Sequence, residues 1–233
     1  NHNPTIEDYG GIEFDGCVEL LNKRRKNWIQ DIHHNYFQAG CDAVETNTFG
    51  CNEIVLSEFG IAHRTLDLNI QAAKLAREVA DSYQNTKYVI GSVGPGTKLI
   101  TLLQIDYKTL YQSYYTQMKG LLLGGADVIL IETCQDINQV KIAVRAAKTA
   151  MKEVNKKVPI WTQVTIETSG TMLVGSDIQS ALVAIECLGI DVFGMNCATG
   201  PDEMRQHIAY LAEASPFSLS VLPNAGLPQN VGG

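Results

Sequence analysis

Gly125-Ala126-Asp127-Val128-Ile129-Leu130-Ile131-Glu132-Thr133 decides the fold. A glycine closes a helix, an aspartate turns the chain, a Val/Ile/Leu run forms a buried strand, and the strand ends in polar groups. Gly40-Cys41-Asp42-Ala43-Val44-Glu45-Thr46 and Gly189-Ile190-Asp191-Val192-Phe193-Gly194-Met195-Asn196-Cys197 repeat the arrangement. Between these stretches, apolar residues recur at three- and four-residue spacing, the period of a helix with one buried face.

Working outward, this pattern predicts helices over Trp28–Ala39, about Leu66–Tyr83, Tyr107–Leu123, Ile137–Val154, Ile178–Leu188 and Asp202–Ala214. Asp106 is the expected N-cap of the third, and Asp136 with Gln139 resembles a capping box on the fourth. Gly40, Gly125 and Gly189 stand where helices should stop. Strands are expected at Ala43–Glu45, Tyr88–Val93, Val128–Glu132, Ile160–Ile166, Val192–Asn196 and Leu219–Pro223. Residues 1–26 read as irregular loop. Strands that alternate with helices argue for parallel βα units, arranged as a (β/α)8 barrel or an open doubly wound sheet. The latter is usually announced by G-x-G-x-x-G, and the nearest stretch, Gly91-Ser92-Val93-Gly94-Pro95-Gly96, has the wrong spacing with a proline inside it. The barrel fits better.

Composition excludes several roles. The chain has 233 residues, 45% hydrophobic and 18% charged, enough to bury a full core. A net charge of −7 without a basic stripe argues against nucleic-acid binding. No apolar run approaches the roughly 18 residues of a membrane span, and the first residues do not read as a charged-then-apolar signal segment, so none is expected. Six irregularly spaced cysteines without a C-x-x-C pair indicate separate reduced thiols and a cytoplasmic setting. The start at Asn1 and the stop at Gly233 just after a strand suggest a single barrel domain, residues 1–233, truncated at both ends.

In a parallel barrel the strand C-termini form one rim. Here they carry Glu45-Thr46-Asn47, Ser92 and Gly94, Glu132-Thr133-Cys134, Glu167-Thr168, Asn196-Cys197 and Asn224. Carboxylates suit an amine and amides suit a carboxylate, so a small polar ligand is the expected occupant. Cys51, Cys134 and Cys197 follow strand ends, and Cys197 is the best placed. Cys17, Cys41 and Cys187 read as inert. The five histidines read as surface or helix-face residues, no G-x-S-x-G nucleophile elbow exists, and Lys98 lies in a loop.

Glu45-Thr-Asn-Thr-Phe-Gly, Gly91-Ser-Val-Gly-Pro, Glu132-Thr-Cys-Gln-Asp, Gly170-Thr-Met-Leu-Val-Gly, Met195-Asn-Cys-Ala-Thr-Gly-Pro and Leu222-Pro-Asn-Ala-Gly-Leu-Pro, in this order, resemble the homocysteine S-methyltransferase domain. The similarity extends to Thr5-Ile-Glu-Asp-Tyr-Gly and is strongest to the cobalamin-dependent members. The resemblance implies a (β/α)8 TIM-type barrel, here incomplete, with segments matching the family's second to seventh strands. It implies a zinc ion held by three cysteines, of which Cys197 matches the first. The other two form a Cys-Cys pair that this sequence lacks, so they are expected outside the chain. Zinc would displace the thiol proton of homocysteine and hold a nucleophilic thiolate.

By the same resemblance, Glu132 receives the substrate amino group and Asn224 is the amide beside the zinc. Glu45 and Asn47 are rim contacts, and Ser92 and Gly94 shape the pocket through backbone. The implied reaction is methyl transfer to homocysteine, giving methionine. Methylcobalamin and methyltetrahydrofolate would be supplied by cobalamin- and folate-binding domains of the same polypeptide. Two alternatives remain: a betaine- or S-methylmethionine-dependent methyltransferase, and a non-catalytic barrel fragment with a binding or assembly role. Cys134 and Cys51 are conceivable substitute ligands. The chain alone is expected to be inactive and poorly stable.

Overall fold

The computed structural model describes residues 3–226. Six parallel strands form one sheet in sequence order: β1 (Ala43–Glu45), β2 (Tyr88–Val93), β3 (Val128–Cys134), β4 (Ile160–Val164), β5 (Val192–Asn196) and β6 (Ser218–Leu222). The helices in chain order are α1 (Ile6–Tyr9), α2 (Leu21–Arg24), α3 (Lys26–Gln38), α4 (Glu53–Glu58), α5 (Thr65–Asp81), α6 (Tyr107–Gly124), α7 (Ile137–Val154), α8 (Ile178–Glu186) and α9 (Pro201–Ala214). The sheet curls into an incomplete TIM-type barrel with helices on its convex side. Strand order equal to sequence order is the signature of a barrel. A doubly wound sheet would reverse direction part-way.

The repeated Gly-x-Asp stretch has a physical role. Asp127 Oδ2, at the start of β3, accepts the Val89 N–H of β2 at 2.8 Å, and Asp191 Oδ2 accepts the Ile160 N–H of β4 at 2.8 Å. Each aspartate therefore satisfies a backbone donor at the open beginning of the neighbouring strand. Gly40, Gly125 and Gly189 all have positive φ, as the helix stops require.

The main core lies between the sheet's convex face and the helices. Ile129, Ile131, Val164, Phe193 and Met195 point outward into a fully buried layer with Leu110, Tyr114 and Met118 of α6 and Val140, Ala143 and Ala147 of α7. The alternate residues, Ile90, Val128 and Leu130, face the concave side with Ala43 and Trp161. Period-two alternation along each strand thus separates a helix-facing core from an inner face.

Several sequence expectations need correction. Residues 1–26 are not loop throughout: Asp8 caps α1 through Thr5 and accepts Arg25 Nε at 2.6 Å, and α2 follows. α4 was not expected; Asn52 caps it by accepting the Ile54 and Val55 N–H groups. β4 stops at Val164, two residues short of the expected end. Asp106 and Asp136 do cap α6 and α7. Gln139, however, does not return to Asp136: its Nε2 donates to Pro95 O and Lys98 O, pinning the β2–α6 loop. His33 is a helix-face residue, as expected, on the buried face of α3, and burial lowers it to about 4.

Candidate functional site

Glu132 closes the inner row of β3, and its carboxylate organises the rim. Ser92 Oγ donates to Glu132 Oε1 at 2.6 Å from β2, and Asn196 Nδ2 donates to Oε2 at 3.3 Å from β5. Both bonds span strands, and all three residues are buried. They are brought together by register: Ser92 pairs with Leu130, and the side chains of Ser92, Leu130 and Glu132 share the concave face.

Ser92 is held in turn by the loop after β1. Thr46 Oγ1 accepts the Ser92 N–H at 3.1 Å and bonds Thr48 Oγ1 at 2.6 Å, and Thr48 Oγ1 donates to Ser92 O at 2.7 Å. Gln117 of α6 donates to Thr48 O at 2.7 Å. All four of these polar side chains are buried, so each bond replaces one otherwise lost to water.

Burial raises the Glu132 carboxyl above its ordinary range, and the Ser92 hydroxyl opposes that shift. Glu45 rises to about 7, first through desolvation and then through the negative charge of Glu132. Its side chain still reaches water, so desolvation is partial. A buried carboxylate whose charge raises a neighbouring one makes a site that gains from a cation, and an ammonium group is the natural one.

Beyond Glu132 the strand bulges. The register shifts between Ile131 and Cys134, and Thr133 takes the left-handed conformation at φ 58°. The bulge turns Cys134 outward into the helix-facing core, fully buried, where desolvation pushes its thiol far up. Cys51 is likewise buried behind the β1 loop with Cys17, and both thiols are raised by burial, Cys17 to about 12. The notion that Cys134 or Cys51 substitutes as a rim ligand is therefore corrected. Cys197 is half-buried and opens a turn in which it and Ala198 are left-handed at φ 60° and 56°. Consecutive non-glycine residues in that region cost on the order of 1–3 kcal/mol each, a strain that concentrates at functional sites. Cys197 N donates to Leu222 O, and Asn224 N donates to Thr199 O, which places Asn224 against the same turn.

Among the described residues, no group of three His, Cys, Asp or Glu side chains is arranged to hold a metal ion. A catalytic zinc needs three protein ligands. Cys197 supplies one thiol, so these residues by themselves do not make a zinc site.

The remaining expected site residues are held by contacts to neighbouring segments, and Asn47 lines the concave cavity beside Glu45. Asn47 Nδ2 donates to Val18 O at 2.8 Å while Asn47 O accepts Asn22 Nδ2 at 2.8 Å, so its amide ties the β1 loop to the N-terminal segment. Glu19, buried, reinforces this tie by accepting the Gly50 N–H at 3.0 Å. Gly94 lets two backbones meet: a Cβ there would lie 2.8 Å from Phe49 O. Lys98 is exposed, as a loop lysine should be.

The homocysteine S-methyltransferase family model matches residues 3–233. The chain belongs to that family. It is 49% identical over 227 residues to the methionine synthase of Mycobacterium tuberculosis and 47% identical to that of Mycobacterium leprae, covering 96% of this chain in each case. It spans 19% of the length of each of these relatives. The oxidized form of the homocysteine methyltransferase MmuM of Escherichia coli superposes with a TM-score of 0.79 at 19% identity, over 95% of this chain and 79% of that one. That likeness concerns the fold.

Within this family member, the sequence pointed to Glu132 and to the Ser92 backbone; the part Ser92 plays is corrected to its hydroxyl, which bonds Glu132, and Asn196 had been given no role. A signal was present: Asn196 follows Gly189 by seven residues, as Glu132 follows Gly125 (196 − 189 = 132 − 125), so both end the same repeat on the same face. Gln117 left no such signal, because its contact depends on how α6 packs.

Proposed function

We propose that residues 1–233 are the homocysteine-binding barrel of a cobalamin-dependent methionine synthase, forming methionine by methyl transfer to the homocysteine thiol. The observation that carries this reading is the pairing of 49% identity to a methionine synthase with a buried, doubly hydrogen-bonded Glu132 at the rim. In this reading the Glu132 carboxylate receives the substrate ammonium, a charge-assisted bond in a site that already concentrates negative potential. Glu45 adds to that potential. Cys197 and Asn224 stand at the thiol end. Asn47 and Gly94 hold the loop that frames the pocket, and Ser92 orients the carboxylate. Cys197 contributes one zinc ligand, and the other two belong to sequence outside this chain. Methylcobalamin and methyltetrahydrofolate are supplied by other domains of the same polypeptide.

The test is methionine formation by the full-length gene product with homocysteine and each donor in turn. Turnover with methylcobalamin and methyltetrahydrofolate, lost together with bound zinc in Cys197→Ser, is the expected result. Turnover with betaine or S-methylmethionine instead would transfer the assignment to a cobalamin-independent methyltransferase. No turnover with any donor would leave a binding or assembly role.

A further inference from the structure

We propose that Asn196 is a positioning residue that sets selectivity for an amino-acid thiol by holding the Glu132 carboxylate toward the rim. The inference rests on Glu132 being the ammonium acceptor and adds the residue through which that acceptor is aimed.

Asn196 is buried and every polar group of its amide is engaged. One Nδ2 hydrogen goes to Glu132 Oε2 at 3.3 Å and the other to Thr133 Oγ1 at 2.7 Å, while Oδ1 accepts the Thr133 N–H at 2.8 Å. The reverse amide orientation would set a carbonyl against a carboxylate and an NH2 against an N–H, so the network fixes which way the side chain points. The Asn196 backbone is anchored too, since Thr165 Oγ1 donates to its main-chain O at 3.2 Å.

The consequence is geometric. Ser92 takes one Glu132 oxygen from β2 and Asn196 takes the other from β5, so the carboxylate is gripped from both sides and its plane is set. The same amide clamps Thr133, whose left-handed backbone creates the bulge that ends β3. Asn196 also directly precedes the Cys197 turn. One side chain therefore links the carboxylate to the strand that carries the thiol end. Freed of Asn196, Glu132 would keep its charge but lose its aim, and a ligand's amino group would no longer be favoured over its absence.

The experiment is a double-mutant cycle in the full-length gene product, read as the ratio of affinities for homocysteine and 4-sulfanylbutanoate, which lacks the amino group. Asn196→Ala should lower that ratio at least about tenfold in the wild-type background, the scale of a hydrogen bond to a charged group. In a Glu132→Gln background the same change should alter it by less than about twofold, because the residue acts through Glu132. Asn196→Ser, which keeps a hydroxyl for Thr133, takes its place in the cycle if the alanine variant does not fold. An equal drop in both backgrounds would overturn the inference, as would an unchanged ratio in Asn196→Ala alongside a lowered one in Glu132→Gln. An unchanged ratio in Glu132→Gln would instead overturn the Glu132 assignment, and this inference with it.

Discussion

Ser92 Oγ lies 2.6 Å from Glu132 Oε1, joining β2 to β3 across the concave side of the rim. Both groups are buried, so the hydroxyl replaces solvation that the carboxylate cannot obtain from water. Ser92→Ala should weaken homocysteine binding by about tenfold or more, the usual worth of a hydrogen bond to a buried charge. Because the hydroxyl opposes the burial-driven rise of Glu132, its removal should also move the acid limb of binding to higher pH. Calorimetric titration of wild type and variant across pH checks both effects. Equal affinities with overlapping pH profiles would show that the bond does not serve ligand recognition.

Glu45 makes stability depend on pH. Its carboxyl sits at about 7 in the folded chain against an ordinary 4.5. Between those values the folded state holds the extra proton, so stability is greatest below the lower value and falls as pH rises through the upper one. Glu45→Gln should therefore flatten the fall in melting temperature between about pH 5 and about pH 8. Glu132 shifts in the same direction and leaves a residual slope. The effect is modest, because the Glu45 side chain reaches water. A slope as steep in the variant as in wild type would count against it.

The helices and strands were legible because each obeys a local rule. Asp106 and Asp136 cap as sequence position suggests, and the Gly-x-Asp repeat marks the strand starts. The rim was legible as a set of polar strand ends but not as a network. Cys134 and Glu132 are two residues apart, and strict alternation would send both to the same face. The bulge at Thr133 sends Cys134 into the core instead, and the clamp on that bulge comes from Asn196, 63 residues further on. Asn47 lines the concave cavity beside Glu45, but what holds it there was not legible. Its amide is used by Val18, in a segment that carried no readable periodicity. Local patterns define elements, whereas these assignments depend on contacts between distant parts of the chain.

The thiols should separate by accessibility. Cys17, Cys51 and Cys134 are fully buried, while Cys187 is exposed and Cys41 and Cys197 are intermediate. Brief treatment with an alkylating reagent under native conditions should label Cys187, Cys41 and Cys197 and spare the buried three, whose thiols burial also keeps protonated. Peptide mass spectrometry before and after unfolding identifies each site. Native labelling of Cys134 at the rate of Cys197 would contradict the bulge that turns it inward.

The concave side of the sheet should make the isolated polypeptide 1–233 associate with itself. Among the described residues β1 and β6 each pair on one side only, so both present unpaired backbone groups. Between them lies a cavity of about 780 Å³, lined by Ile29, Ile32, Ile90, Leu130, Trp161 and Leu222 among others. Leu222, on the edge strand, is 47% exposed. An apolar groove bordered by strand edges recruits other chains, and a charge on the edge is the usual defence. Sedimentation of this polypeptide should show mass increasing with concentration, and Leu222→Lys should shift it toward the monomer. A wild-type polypeptide that stays monomeric at every concentration and melts cooperatively at high temperature would mean that the groove is satisfied within the chain itself.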